Sequence, residues 1–428
     1  MSVRLLVTAD IHIGRRPTKI NIADASRWSG ARMWEMIVDR AITETVDAVA
    51  LSGDIVDQDN RFFEATGPLE RGILLLASKG IHTFAVSGNH DYDVLHRLAD
   101  SIGSEHFHLL GRDGQWEEAS LERDGKPVLH VQGWSFPGKR FTTSPLATYD
   151  LSITDDLPTL GLLHADLGAT ASHYAPVAVD ELRRTHVHFW VLGHVHGPDL
   201  VEAGGGAPIL YPGSPQAMHP KETGVHGPWL LEIDAPHAIR ATQLPMSKVQ
   251  YESVQIDLEG AVAEDEFEAR VNQQVRSSLD DAAADNPELE LLSIRLVFAG
   301  ATSLCGELDQ LSLALVDELR MSAGASSAQV ESVKNNTQPD IDLEQWALRS
   351  DPTGQLAKLM LQLHSDDAIE QTDTLLHNAY QSIRGCYDAP AYGPISNDDR
   401  PVSDDVRGIL LRQGMKLLHA LRTQVTSP

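Results

Sequence analysis

Five times in its first 200 residues the chain runs through four to seven largely apolar residues and stops on a cluster of acids, amides and imidazoles. Residues 3–9 lead into Asp10-Ile11-His12. Residues 48–52 lead into Gly53-Asp54-Ile55-Val56-Asp57, and 83–87 into Gly88-Asn89-His90-Asp91. Residues 160–163 lead into His164-Ala165-Asp166, and 189–192 into Gly193-His194-Val195-His196. Short apolar runs bounded by turn residues suit strands buried on both faces. Between them, residues 31–45 place Met33, Ile37, Ala41 and Thr45 on one helical face, and 69–78 read similarly. Strand–helix alternation predicts an α/β fold, and ligands of such sheets gather at the carboxyl ends of the strands. Each polar cluster falls at such an end.

The residue types in those clusters point to metal chemistry. Asp10 and His12 are two apart at a strand end and so point the same way. Asp54 follows a glycine that lets the backbone approach closely. Asn89 follows Gly88, which is expected to turn the chain sharply enough for Asn89, His90 and Asp91 to face one cleft. His164 stands alone, and His194 and His196 are again two apart. Two carboxylates, one amide oxygen and four imidazoles are too many ligands for one divalent ion. They suit two ions sharing a bridging carboxylate, the arrangement that clamps the attacking and leaving oxygens of a phosphoryl displacement. Each element alone has a plainer reading, since Gly-Asp and Gly-Asn are ordinary turn pairs. Five clusters at five strand ends leave that reading little room.

The remainder of the chain bounds the problem. Of 428 residues, 42% are hydrophobic, enough to bury a substantial core. The net charge of −27, heavier after residue 245, argues against nonspecific nucleic-acid binding through bulk charge. Cys305 and Cys386 make no disulfide framework. No apolar run approaches the roughly 18 residues of a membrane span, and the first residues do not read as a signal peptide. These features predict a cytoplasmic protein without a membrane partner. Residues 244–251 read as a boundary, so 1–245 form one domain. Residues 250–336 read as a small α/β domain, with alternating Val254, Ile256 and Leu258, a helix over 265–279, a strand through Leu292–Phe298, a helix over 304–320 and a strand over 329–334. Residues 340–428 read as helical, with a Pro/Gly/Asp-rich linker at about 385–402. A terminal amphipathic helix follows, capped by Ser403, with Val406, Leu410, Leu417, Leu421 and Val425 on one side.

The strings DIH, GDIVD, GNHD, the lone histidine after GLL, and GHVH resemble the signature of the calcineurin-like metallophosphoesterase superfamily, over about residues 1–215. The longer strings TADIHIGRRP, LLHADLGATASHYAPV, HFWVLGHVH and YPGSPQAMHPKETGVHGPWLLEID are similar to SbcD-type DNA repair exonucleases, especially a branch of short bacterial homologues. The resemblance implies a β-sandwich flanked by helices, followed by a small α/β cap domain and C-terminal helices. It implies a hydrolase, a DNA exonuclease or endonuclease of DNA repair that uses two divalent metal ions. One metal would be held by Asp10, His12, Asp54 and His196, the other by Asp54, Asn89, His164 and His194. His90 would act on the reacting phosphate as stabiliser or general acid, with Asp91 and Asp57 orienting it and its neighbours. Mixed carboxylate, amide and imidazole ligation favours manganese, with iron or zinc as alternatives. The implied partners are DNA and a coiled-coil, SbcC-like ATPase, which would dock on the helices of 343–384 or on the final helix; a homodimer is also admitted.

The chain departs from the family at one place. Where a Gly-Arg pair is expected after PGSPQ, it has Ala217-Met218-His219. Arg15, Arg16, Lys19, Lys139 and Arg140 then become the candidate DNA-backbone contacts, against the plainer reading of a solvated basic face. His173, beside Tyr174-Ala175-Pro176, is a candidate at the rim of the site. Trp134 and Phe136 read as packing residues or as a platform for a base. Two other functions share the metal residues: a phosphodiesterase or phosphatase on small nucleotides or phosphoproteins, and a catalytically silent scaffold subunit.

Overall fold

The computed structural model describes residues 2–20, 25–57, 65–152, 156–169, 172–201, 206–365, 370–387 and 403–426. The five anticipated strands are present as Val3–Thr8, Ala48–Ser52, His82–Val86, Thr159–His164 and Phe189–Gly193. The first three lie side by side and parallel, with Leu5 opposite Ala48 and Ala48 opposite His82. Phe107–Leu109 extends them on one side, and the antiparallel strands Trp229–Ala235 and Ala238–Gln243 on the other, completing a six-stranded sheet. The last two of the five are parallel neighbours in a second six-stranded sheet. Its order is Asp199–Val201, Ile209–Tyr211, Phe189–Gly193, Thr159–His164, Lys126–Trp134, Trp116–Arg123. The two strands on its far side form a hairpin turning at Asp124-Gly125, both with positive φ, as a tight hairpin requires. They expose Glu117, Glu118, Glu122 and Lys126, so they lack the apolar runs that mark the other five.

The two sheets face each other across one apolar layer. Val3, Leu5, Val7 and Phe84 meet Leu129, Val131, Leu160, Leu162 and Val191 there. The outer face of the first sheet carries Leu6, Val49 and Leu51. It is covered by helices Gly30–Thr43, Thr66–Ser78 and Leu95–Ile102 through Met33, Ile37, Ala41, Leu69, Ile73 and Leu98. Ser29 caps the first of these, its side chain accepting from the Arg32 N–H at 3.3 Å. Thr45, which periodicity puts on the apolar face, is instead exposed just past the helix end, at φ 51°. On the other outer face, Leu163, Trp190 and Leu192 pack with Trp134, Leu182 and Val187. This is the expected sandwich flanked by helices, and Trp134 and Phe136 are fully buried packing residues in it.

At one edge of the first sheet three imidazoles crowd together. The His82 ring lies 4.5 Å from that of His106 and 5.5 Å from that of His108, and His108 stacks on Phe84 at 4.8 Å. Burial, with help from the charges of His106 and His108 and against the pull of Glu122, pushes His82 down to about 4. Burial likewise lowers His108. A histidine whose folded value lies below its unfolded one contributes stability that is lost as pH falls from about 6.5 toward about 4, because the unfolded chain takes up the proton first. The melting temperature of a His82→Phe variant is therefore expected to fall less steeply over that window than that of the parent protein. Parallel melting curves would dismiss the stack as a source of acid sensitivity.

Val249–Asp257, Leu291–Ala299, Ser326–Asn335 and Arg320–Ala323 form a four-stranded sheet in that order. The chain divides into two compact units. One comprises Met1–Ser253, Arg276–Arg295 and Arg320–Glu331; the other comprises Val254–Val275, Leu296–Leu319 and Ser332–Pro428. Within the second unit, Phe267 and Phe298 meet edge to face at 5.3 Å. The segment expected as one helix over 304–320 is a short 3-10 turn, Ser303–Gly306, then the helix Leu308–Glu318, after which Arg320 begins a strand. Helices Leu343–Ala347, Pro352–His364, Glu370–Tyr387 and Ser403–Thr426 follow. Asp351 caps the second of them, accepting from the Gly354 N–H at 2.9 Å. Glu370–Tyr387 continues past Gly385, where composition starts the linker; residues 388–402 lie outside the described residues. In the last helix Val406, Met415 and Leu418 are buried, whereas Leu417 is 52% exposed. Its apolar face is thus rotated from the one periodicity selects. The side chains of Ser403 and Val425 lie outside the described residues. Among the described residues, no helix is long and apolar enough to cross a membrane.

Candidate metal centre

The parallel register brings the polar ends of the strands together. Backbone hydrogen bonds zip the first two loops to each other, from Asp10 N to Gly53 O (3.0 Å), His12 N to Asp54 O (3.1 Å) and Ile13 N to Ile55 O (2.8 Å). Asp10, His12, Asp54 and His194 all adopt positive φ, between 47° and 100°. Four non-glycine residues in that region of backbone space mark strain held by the surroundings, as at functional sites. Gly88 serves by its lack of a side chain and not, as expected, by a special turn. A Cβ there would sit 2.2 Å from Asp54 Oδ1. A Cβ on Gly193 would sit 2.0 Å from Ser52 O, so the two sheets can approach this closely only at glycine.

The side chains converge in three overlapping groups, one of them His12, Asp57 and His90. Asp10, His12 and His196 present ligand atoms within 4.8 Å of one another, as do Asp10, Asp54 and His164. Asn89 Oδ1 lies 3.2 Å from His164 Nε2, and Asp54 Oδ2 lies 3.4 Å from the same nitrogen. The His194 ring is 5.4 Å from that of His164, and its backbone N–H donates to Asp10 Oδ2 at 3.0 Å.

The hydrogen bonds behind these rings say what the groups fit. His196 Nδ1 faces Glu222 Oε1 at 2.8 Å, and His12 Nδ1 faces Asp57 Oδ1 at 3.3 Å. Each carboxylate draws the ring proton to Nδ1 and leaves a lone pair on Nε2. The two Nε2 atoms are nonetheless 3.2 Å apart. His164 repeats the pattern, its Nδ1 directed at Ser52 O (3.0 Å) and its Nε2 at the Asn89 carbonyl oxygen. Acceptors facing acceptors, beside buried Asp10 and Asp54, fit cations. The residues present therefore suit divalent ions, with Asp10 common to two of the groups.

Without ions, the buried charges of the site offset one another. Burial raises Asp10 despite the imidazoles around it. Burial also works against the charge on Asp54, but His164, His12 and His90 outweigh it and hold that carboxylate well below the usual range. His164 is the mirror image: burial opposes its charge, and Asp54 pushes it up to about 9. Burial and the charge of His164 hold His194 down at about 3, so it stays neutral as a ligand must.

His90 is only 24% exposed, with Nδ1 3.4 Å from Asp57 Oδ1 and Nε2 3.9 Å from Asp54 Oδ2. Burial opposes its charge, but the hydrogen bond it donates to Asp57 and the charge of Asp54 raise it above the ordinary imidazole value. With Nδ1 on Asp57, the ring turns Nε2 toward Asp54, the placement a proton donor needs. The same Asp57 oxygen receives Arg15 Nε at 3.0 Å, placing a 42% exposed side chain at the rim.

Asp91 does not orient His90. It is fully buried, with Oδ2 accepting from the Ile55 and Val56 N–H groups (2.7 and 3.2 Å) and Oδ1 from the Gly88 N–H (2.7 Å). It staples the two ligand-bearing loops, and burial pushes it up to about 7. His173 is exposed and its carbonyl accepts from Phe141 N; the neighbouring Tyr174 is the residue whose ring lies on His194, at 4.8 Å. Arg16, Lys19, Lys139 and Arg140 are exposed and are not among the side chains that build the centre. Ala217 and Met218, standing where a Gly-Arg pair is expected, are buried, and the Met218 carbonyl accepts from Thr18 N and Oγ1 at 2.9 and 3.1 Å. Glu222, which holds His196, carries no local signal: its partner is 26 positions away in the chain.

A sandwich with groups of candidate metal ligands at its strand ends suits a metal-dependent phosphoesterase domain. Residues 3–198 match the calcineurin-like phosphoesterase family, and this stretch of the chain is a domain of that family. Residues 251–338 match the family described as the middle domain of metallophosphoesterase YhaO. Over 199 residues the chain is 31% identical to an uncharacterized metallophosphoesterase YhaO of Bacillus subtilis, covering 46% of this chain and 48% of that one. Over 265 residues it is 24% identical to a DNA double-strand break repair protein Mre11 of Aeropyrum pernix, covering 58% of this chain and 63% of that one. The chain thus spans about half to three-fifths of the length of the curated relatives it matches. Two solved structures overlap at low scores: a dimetal phosphatase from Danio rerio (TM-score 0.36, 15% identity, 56% of this chain and 98% of that one) and a Thermus thermophilus protein (TM-score 0.35, 14% identity, 57% and 99%).

Proposed function

We propose that this chain is a phosphodiesterase that uses two divalent ions, manganese first among them, to cleave DNA in repair. The observation that carries the phosphodiesterase reading is the His90–Asp57 pair set beside the other two ligand groups. Bound ions would supply Lewis acidity and neutralise charge building on the phosphate. Asp10, His12, Asp54 and His196 would hold one, and Asp54, Asn89, His164 and His194 the other. The chain's own part in the reaction is to fix those ligands, to anchor a phosphate at Arg15, and to deliver a proton from His90 Nε2 to the leaving oxygen.

DNA as substrate rests on the similarity to a protein named for double-strand break repair. The net charge of −27 favours a second reading, a small phosphodiester, because bulk repulsion works against a polyanion. The partner reading is a coiled-coil ATPase docking on the C-terminal helices. Their apolar faces already meet one another through Ala357, Met360, Leu363, Met415 and Leu418, which leaves exposed Leu348 and Leu417 as contacts for it. The test is incubation of the purified chain with manganese and linear DNA. Degradation is expected, lost on chelation and restored by added metal. Saturable turnover of a small phosphodiester with DNA untouched would establish the second reading. A chain that binds no divalent ion would be a scaffold.

A further inference from the structure

We infer that Glu222 is a positioning residue of the metal centre, fixing His196 in the tautomer and orientation that present Nε2 to Asp10 and His12. The inference rests on the metal reading of the site. Glu222 lies outside every strand and helix, in the loop between Ile209–Tyr211 and Trp229–Ala235, yet its side chain is only 12% exposed. A buried carboxylate needs donors for its oxygens, and this one has three. Oε1 accepts from His196 Nδ1 at 2.8 Å; Oε2 accepts from the Met218 N–H at 2.6 Å and from Ser214 Oγ at 3.3 Å.

The backbone of His196 is held by the same loop. The Ser214 N–H donates to the His196 carbonyl at 2.9 Å. Gly213, at φ 73°, lets the chain pass so close that a Cβ there would sit 2.5 Å from that carbonyl oxygen. Main chain and ring of one ligand are therefore gripped together. His164 Nδ1 faces the carbonyl of Ser52, which ends a strand of the first sheet, and His12 Nδ1 faces the carboxylate of Asp57 in the loop after that strand. His196 follows a strand of the second sheet, and Glu222, from the loop after Ile209–Tyr211, supplies the acceptor for its Nδ1. The grip continues outward: the Met218 carbonyl holds Thr18, and the Thr18 carbonyl accepts from the Tyr251 hydroxyl at 2.5 Å. The strap thus ends on the loop that carries Arg15.

Removing such a carboxylate from behind a ligating imidazole lowers metal affinity about 10- to 100-fold. The experiment is calorimetric titration of the metal-free full chain with manganese, for the parent, Glu222→Ala and Glu222→Gln, with ¹⁵N NMR of the histidine rings. Glu222→Ala is expected to weaken binding by about 10- to 100-fold and to shift neutral His196 from Nδ1–H toward Nε2–H. Glu222→Gln, which keeps one oxygen for Nδ1, is expected to lose less on both counts, and it carries the test if the Ala variant does not fold. Unchanged affinity with His196 still protonated at Nδ1 in both variants overturns the inference. A parent chain that binds no divalent ion overturns it together with the metal reading. The expected pattern in a chain that leaves DNA intact sustains Glu222 and sinks the DNA reading alone.

Discussion

Replacing His90 with Ala is expected to slow the proposed DNA hydrolysis by about 10²–10⁴-fold, the range for loss of a positioned general acid, with manganese affinity unchanged. The two effects separate because the His90 backbone N–H, which holds Asp54 Oδ1 at 2.8 Å, survives the substitution. Asp57 also keeps two of its partners, His12 and Arg15. The sign of the pH dependence follows from the raised value of His90. The acid form is the active one, so the parent enzyme loses rate as pH rises through that value, and the variant lacks this limb. The proton matters only when the leaving oxygen is a poor leaving group. An aryl phosphodiester that departs as a stabilised phenolate is therefore expected to be cleaved nearly as fast by the variant as by the parent. Equal losses on both substrates would place His90 in phosphate binding instead of proton transfer. An undiminished rate on DNA would remove it from the reaction.

The largest effect on stability is expected at Asp91. Its carboxylate receives three buried backbone N–H groups, from Ile55, Val56 and Gly88. Truncation to Ala leaves all three without an acceptor, at about 1–3 kcal/mol for each orphaned group, so about 3 kcal/mol or more is a fair expectation. For a domain of this size that corresponds to a drop in melting temperature of about 6 °C or more. Asp91→Asn keeps one acceptor oxygen but sets an NH₂ against a donor, so it is expected to fall between parent and Ala. Because the stapled loops carry Asp54 and Asn89, manganese affinity is expected to fall in step with stability. A melting temperature within a degree of the parent would show that the loops hold without the staple.

These two residues, consecutive in the chain, divide along a line that no sequence pattern draws. GNHD places an amide, an imidazole and a carboxylate together, and local geometry alone would send all three to one cleft. The fold sends Asn89 to His164, His90 to Asp57, and Asp91 backward into the protein beneath its own loop. The acidic partner of His90 is therefore Asp57, 33 positions earlier.

What the sequence by itself determined is the inventory. Strand-forming runs and the polar residues that end them are local features, and a parallel sheet must carry those ends to one side. The seven ligand candidates, the class of fold and the likeness to a phosphoesterase family were legible for that reason. The tertiary structure decided which groups hold the ligands. Glu222 behind His196, Asp57 between His12 and His90, and Tyr174 over His194 join segments that are remote in the chain. The Trp116–Arg123 hairpin strand and the turned face of the last helix belong to the same category. For the buried carboxylates Glu222 and Asp57 the physical reason is shared. A buried charge is tolerated only where partners converge on it, and convergence is a property of packed loops, with no trace in the spacing of residues along one of them.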